Sequence, residues 1–354
     1  MSFEATAPDD VLLAAPALQV RVEAIFAALG CAPREATAIA EHLVLANLMG
    51  HDSHGVSLIP LYVRMVREGR VAPNRRVSTV LDAGPLVTLE AHRGFGQATA
   101  LEAMELAVAR ARRDGAAVVG LRNSHHVGRV GHWAERCAAA GLVSLHFVNV
   151  VGSAAVVAPF AGADARIHTN PVAIGMPRPG DEPLILDFAT SRVAQGKLRV
   201  AMNRGLQVPE GHLIDAEGRP STEPRVTYEP PFGALLPFGE HKGSGLGLFC
   251  DLLAGALTGG GTAHAGTLEE GVYLNNMLSI VLDPQRLGGQ ASWQRDLLDG
   301  IAWFAASPPR DPERPVLLPG EPERLTRRRR LAEGIPIDRE TWRQIEEAAR
   351  SVGL

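Results

Sequence analysis

A chain of 354 residues is about twice a typical domain of about 150 residues, so it can bury a full core without metals or disulfides. Hydrophobic residues make up 46%, charged residues 21% and aromatics 5%, with a formal net charge of -4. These values exclude a disordered chain, a basic nucleic-acid wrapper and an aromatic platform for stacking single strands.

The first seventy residues read as helical. Val22, Ile25, Phe26 and Leu29 share one face, Gly30 ends that helix and Pro33 starts a second that carries Ile39, Leu43 and Ala46. The polar insert Gly50-His51-Asp52-Ser53-His54-Gly55 interrupts the stripe, which resumes through Pro60, Val63 and Val66. Residues 77–81 and 86–90 are short β-type runs around an Asp-Ala-Gly-Pro turn. An amphipathic helix over 97–114 precedes a strand at 116–121 and the polar run Arg122 to Arg129. Further strands are predicted at 142–148, 172–176 and 184–188. Residues 209–237, rich in proline, glycine and charge, read as a long surface excursion. A helix beginning near Gly243 and a late strand at Ile280 and Val281 follow. The chain then turns helical through Phe304, passes the basic run 327–330, and ends in a helix near Ala348. The class is α/β, with helical flanks from both ends closing over a continuous middle.

Cys31, Cys137 and Cys250 are odd in number and far apart, so neither a disulfide framework nor a paired zinc knuckle is expected. Residues 1–20 carry three acidic residues and no basic n-region, and no apolar run approaches about 20 residues. The expectation is a cytoplasmic protein with no membrane and no nucleic-acid partner.

Four clusters could carry chemistry. In Asp52-Ser53-His54-Gly55 an imidazole exchanges protons near neutral pH and the glycines admit a ligand to the backbone; the plainer role is a hydrogen-bonded helix junction. Asn123 to Arg129 places His125 and His126 after a strand. Arg129 offers a two-pronged partner for an anion, and one histidine is expected to face a ligand while the other serves structure. In Leu186-Asp187-Phe188-Ala189-Thr190-Ser191 the carboxylate could orient a histidine or bind a ribose, while Thr190 or Ser191 could equally cap a helix. Glu240-His241-Lys242-Gly243 describes an anion-accepting helix start or a glycine-rich packing face. No His-Glu-x-x-His, Cys-x-x-Cys, P-loop, Gly-x-Gly-x-x-Gly or Gly-x-Ser-x-Gly pattern occurs, so no metal site is expected and no cofactor is selected by pattern alone.

Taken together, residues 50–56, 122–129, Thr169-Asn170-Pro171, 186–191, 240–243 and Leu318-Pro319-Gly320-Glu321 resemble, in order, the malate/L-lactate dehydrogenase family, and its hydroxycarboxylate branch most. The resemblance implies a non-Rossmann cofactor domain with a mixed sheet over residues 77–289, and a helical domain formed by residues 1–76 and 290–354. It implies a homodimer that transfers hydride between NAD, less so NADP, and a 2-oxo or 2-hydroxy acid of the hydroxypyruvate or phenylpyruvate type. Malate, L-lactate, ureidoglycolate and delta-piperideine-2-carboxylate chemistry are the family alternatives, and a non-catalytic cofactor-binding protein is the alternative outside it. His54 matches the family acid, with Ser53, His126 and Asp187 beside it. Cofactor contacts map to Gly128, Arg129, Leu184, Leu186, Asp187, Phe188, His241, Lys242, Asn275, Gly320, Glu321 and Pro322. Many members of the family carry an arginine where Met49 stands, so Arg129 and Arg192 are the candidates to hold the substrate carboxylate, and Glu240 is expected to disfavour a 2′-phosphate.

Overall fold

The computed structural model describes residues 10–203, 205–269, 271–288 and 290–354. The chain opens with β1 (Val11–Leu13), α1 (Ala15–Ala28) and α2 (Pro33–Leu48). Both helices carry proline in their first two positions, where its missing N–H leaves no bond unmade. Two 3-10 turns, Asp52–His54 and Val56–Leu58, lead into α3 (Ile59–Arg67). Then come β2 (Ser78–Ala83), β3 (Leu86–Glu90), α4 (Gly96–Asp114), β4 (Ala116–Ser124), α5 (Gly131–Ala139), β5 (Val143–Val151), β6 (Val172–Met176), β7 (Leu184–Phe188) and α6 (Gln195–Asn203). Short strands β8 (Leu213–Ile214), β9 (Pro220–Ser221) and β10 (Ala234–Leu235) precede α7 (His241–Cys250), which continues into a π-helical stretch over Asp251–Ala256. The chain closes with β11 (Leu274–Leu282), α8 (Pro284–Gly288), α9 (Gln290–Ala305), α10 (Glu321–Glu333), β12 (Ile335–Ile337) and α11 (Arg339–Ser351).

Seven strands form one sheet in the order β2-β3-β4-β11-β5-β6-β7. Only β3 and β4 run parallel; every other neighbouring pair is antiparallel. This is the mixed α/β sheet expected, and it differs from a doubly wound parallel sheet. Strand β11 lies at its centre, facing Gly120 on one side and Phe147 on the other through Leu278. Helices α4 and α5 cover one face, burying Met104, Trp133 and Cys137 against Val119, Leu121 and Met277.

A second apolar core gathers Leu18, Ile25, Ile39, Leu43 and Tyr62 with Ile335, Ile337, Ile345 and Ala349. Both ends of the chain therefore contribute to it, and β1 pairs antiparallel with β12. Residues 209–237 are not simply a surface excursion. They hold the sheet β10-β8-β9, whose Leu213 and Leu235 are buried with Leu198 of α6 and Val157. Two-residue strands are too short to leave a period in the sequence. Among the described residues no helix is long and apolar enough to cross a membrane.

Candidate active site

The first motif is a turn held from two sides. Asn47, on the last turn of α2, donates from Nδ2 to Asp52 Oδ1 at 2.6 Å and accepts from the Val56 N–H at 2.8 Å. Gly55 allows this: a Cβ there would lie 2.1 Å from Asn47 Oδ1. From α10, the buried Arg330 guanidinium donates to both Asp52 oxygens at 2.6 and 2.9 Å, and Glu323 stands 3.3 Å from His51 Nε2. Ser53 Oγ is 3.1 Å from His54 Nδ1.

The second motif arrives on β4. The His54 and His126 rings stack with centroids 5.6 Å apart and an interplanar angle of 28°. Tyr62 of α3 places its hydroxyl 2.6 Å from His126 Nδ1, and Gln97 of α4 donates to that hydroxyl at 3.0 Å. The hydroxyl proton is thereby directed to Nδ1, so His126 keeps its own proton on Nε2. His125 turns inward instead, with Nε2 3.3 Å from Met65 Sδ and its ring 4.8 Å from that of Tyr62. Both histidines border the main cavity, but their surroundings differ: His126 is half-buried and bonded to Tyr62, whereas His125 is 1% exposed and packed on Met65. Neither Tyr62 nor Gln97 stands out in sequence, because Tyr62 falls on the apolar stripe of α3.

Asp187, near the end of β7, accepts from the Gly131 N–H at 2.9 Å, and its carboxylate is 3.9 Å from Arg129 Nη1. Arg129 is 2% exposed and donates to Glu135 at 2.5 Å, so its guanidinium is engaged by two carboxylates. It is therefore not the open partner for a substrate carboxylate that Met49 leaves wanting. Gly128, at φ +75, brings the backbone to His42, whose Nε2 accepts the Arg129 N–H at 2.8 Å. Thr190 and Ser191 cap no helix: Thr190 Oγ1 donates to the Thr169 carbonyl at 3.1 Å and Ser191 Oγ to the Val193 carbonyl at 2.8 Å.

Ser53, His54, His126, Asp187 and Phe188 all line one cavity of about 1740 Å³, together with Lys197 of α6. Arg192 also reaches its wall. A second cavity of about 650 Å³ lies between β7 and the start of α10, lined by Ile185, Asp181, Gly320, Glu323 and Arg324. Asp187 and Arg129 border both spaces. Leu184 and Leu186 lie on the same edge strand, whose Ile185 N–H donates to the Pro319 carbonyl at 3.2 Å. Glu321 accepts from the Leu318 N–H at 2.7 Å and Pro322 follows it in the first turn of α10.

Of the residues expected to touch a cofactor, Gly128, Leu184, Leu186, Glu321 and Pro322 are neighbours of the cavity linings but line neither cavity, and His241, Lys242 and Asn275 do not line them either. His241 and Lys242 sit at the exposed start of α7, with the His241 ring 6.0 Å from Phe160. Asn275 is buried in β11, donating to the Asn149 carbonyl and accepting from the Val127 N–H, both at 2.9 Å. It holds the histidine loop from beneath. Glu240 lines neither cavity, so it gives no ground for choosing between the two nicotinamide cofactors.

Burial lowers the His54 pKa to about 4; His51, Arg129 and Lys197 push the same way and Asp187 opposes them. His126 is held well below its ordinary value, chiefly by burial and then by His54 and His125. Both imidazoles are therefore neutral at pH 7, fit to accept a proton or to donate a hydrogen bond. Among the described residues no three histidine, cysteine, aspartate or glutamate side chains converge as a metal-holding group.

A family model described as malate/L-lactate dehydrogenase matches residues 13–346. Hydroxycarboxylate dehydrogenase B of Escherichia coli is 48% identical over 336 residues, covering 94% of this chain and 92% of that one. An L-lactate dehydrogenase of Cupriavidus necator is 40% identical over 89% of this chain and 90% of its own. The solved malate dehydrogenase of Pyrococcus horikoshii superposes with a TM-score of 0.88 at 26% identity, covering 99% of this chain and 98% of that one.

Proposed function

The chain belongs to the malate/L-lactate dehydrogenase family, and on that premise we propose that it interconverts 2-oxo and 2-hydroxy acids of the hydroxypyruvate or phenylpyruvate type with NAD. It is an oxidoreductase of hydroxy acids; the substrate and the cofactor are the finer parts of this reading. The stacked His54 and His126 rings on the wall of a cavity of about 1740 Å³ carry it.

The space suits a dinucleotide. Asp187 and Arg129 border both cavities, so an extended ligand passing them would run from β7 and Gly320 to the histidines. Ile185, Asp187 and Phe188 of β7 would form one wall, with Leu184 and Leu186 beside them on the strand, and Gly320 the other, with Glu321 and Pro322 following it into α10. Asp181 and Glu182 line the second cavity, but so do Arg178, Arg324 and Arg327, and Arg178 pairs with Asp181 at 2.9 Å, so the preference for NAD rests on the family resemblance and not on the charge of this space. When bound, the nicotinamide supplies the hydride that reduces C2 of the 2-oxo acid. His54 gives the carbonyl oxygen its proton in that direction and takes the hydroxyl proton in the other. His126, with its proton on Nε2, holds the same oxygen by a hydrogen bond. Ser53 orients the His54 ring, and Asp187 favours its charged form. Lys197 and Arg192 offer the substrate carboxylate its positive charge.

Residues 1–76 and 290–354 would act as the helical domain and 77–289 as the NAD-binding domain. A cytoplasmic homodimer is part of the same reading. Trp303 and Phe304 of α9, 85% and 57% exposed, are apolar enough to need a cover. The direct test is oxidation of NADH and of NADPH with hydroxypyruvate, phenylpyruvate, oxaloacetate and pyruvate, repeated with His54→Ala. Cofactor binding without turnover on any of them would favour a non-catalytic binding protein, and full activity in His54→Ala would remove that residue from proton transfer.

A further inference from the structure

Arg330 stands in a run of four arginines, Arg327 to Arg330, but differs from the others in burial. Arg327, Arg328 and Arg329 are exposed, whereas Arg330 is 2% exposed. Its guanidinium makes a two-pronged pair with Asp52 at 2.6 and 2.9 Å and also donates to the Asn47 carbonyl. One residue on from Asp52 is Ser53, and the next is His54. A buried arginine is costly unless fully engaged, so its place here needs a reason beyond solubility.

The rest of α10 supplies that reason. Seven residues earlier, Glu323 reaches His51 at 3.3 Å, so the helix grips the histidine turn at two points. Gly320, Glu323, Arg324 and Arg327 of the same helix region line the second cavity. The helix is thus a rigid element with one end on the space proposed for the cofactor and the other on the turn that presents His54.

We propose that Arg330 is a positioning residue for proton transfer: through Asp52 it fixes the Ser53–His54 turn to α10, the helix that also walls the second cavity. This rests on the proposed hydroxy acid chemistry for its kinetic consequence, but not for its structural one. Binding in the second cavity stiffens α10 and, through it, the turn. Arg330 borders the main cavity, but its guanidinium is taken up by Asp52 and the Asn47 carbonyl. Its removal leaves the cofactor space intact and loosens the donor, and a misplacement of about 1 Å in such a group costs about 10²-fold in rate.

The test compares Arg330→Met, Arg330→Lys and Asp52→Asn with the intact chain, with Arg328→Met as a control on an exposed neighbour. Steady-state kinetics, NADH titration by fluorescence and amide exchange over residues 50–58 are measured for each. Arg330→Met and Asp52→Asn are expected to lower kcat by about 30–100-fold, with KM and NADH affinity changed less than about threefold. Arg330→Lys, keeping the charge without the two-pronged geometry, is expected to recover part of kcat. In the intact chain NADH should slow exchange over 50–58, and in Arg330→Met it should not. Should Arg330→Met not fold, Arg330→Lys and Asp52→Asn carry the comparison. Unchanged kcat in the folded variants, or exchange over 50–58 that NADH slows equally in them and in the intact chain, would overturn the proposal. If the intact chain turns over no 2-oxo acid, the proposed function fails, while the exchange measurement still decides the link from α10 to the turn.

Discussion

The hydroxyl of Tyr62 lies 2.6 Å from Nδ1 of His126 and takes its own hydrogen bond from Gln97 at 3.0 Å, so a buried tyrosine sets which face of the imidazole carries the proton. Burial raises the Tyr62 pKa, which keeps the hydroxyl protonated across the working range. Tyr62→Phe is expected to lower kcat by about tenfold to 10²-fold with little change in KM, because the ring stays packed while the tautomer is released. Nitrogen NMR of the intact chain should show His126 protonated at Nε2. A resonance from a proton on Nδ1 would reverse the assignment and make His126 an acceptor.

The pH dependence of the two directions should differ in sign. His54 sits at about 4, lowered first by burial, so above that pH the proton needed for reduction is scarce. Log kcat/KM for 2-oxo acid reduction should therefore fall by about one unit per pH unit from about pH 5.5 to 8. Oxidation of the hydroxy acid uses the neutral imidazole and should be level over the same interval in its dependence on this group. Reduction that rises with pH would place the donor elsewhere.

Part of this site is visible in sequence for a local reason. Imidazoles set among glycines at helix and strand ends, as at His54 and His126, are conspicuous whatever surrounds them. The stripes of α2 and α4 and the turn between β2 and β3 are likewise local patterns. What is not local is not visible. Strands β1 and β12 have three residues each and find one another across nearly the whole chain. Tyr62 looks like one more apolar residue of α3, and nothing in four consecutive arginines says that Arg330 is the buried one. His241 and Lys242 stand out locally as a glycine-flanked helix start and Asn275 only through family likeness, and this single chain does not bring any of the three to either cavity.

Lys197 should report on the substrate carboxylate. It lines the main cavity and its charge lowers the His54 pKa, so it stands within electrostatic reach of the reacting group. A charge-assisted hydrogen bond contributes about 1.5–3 kcal/mol, or about tenfold to 10²-fold in affinity. Lys197→Met is expected to raise KM for 2-oxo acids by that factor while leaving KM for the matching 2-oxo amide nearly unchanged. Equal effects on both would move the carboxylate contact to Arg192.

Buried histidines should make the fold acid-sensitive. Burial lowers His125, His132 and His146 to about 3 and His168 to about 4, against about 6.5 in an unfolded chain. A group with a depressed folded pKa binds its proton first in the unfolded state. Stability is then fully present above about pH 6.5 and is lost as pH falls toward about 3. Urea midpoints measured at pH 7.5, 6, 5 and 4 should decrease in that order, with most of the loss below pH 6. A midpoint that holds level down to pH 4 would mean that these rings take up protons in the folded state at their ordinary pKa.

Gly96 offers a steric test of how closely the histidine loop is held. It is the first residue of α4, and a Cβ there would lie 2.1 Å from the His126 carbonyl oxygen and 2.4 Å from that of His125. Both contacts are backbone, so no side chain can swing aside and the loop itself must move. Overpacking of this kind costs about 1–3 kcal/mol. The displaced segment is the one that stacks His126 on His54 and accepts the Tyr62 bond, so activity should suffer beyond the loss of stability. Gly96→Ala is expected to lower the thermal midpoint by several degrees and kcat by more than tenfold at temperatures where the variant remains folded. A variant with a lowered midpoint but full kcat would show that the His126 position tolerates movement, and that its stacking on His54 is a packing feature rather than a requirement of the chemistry.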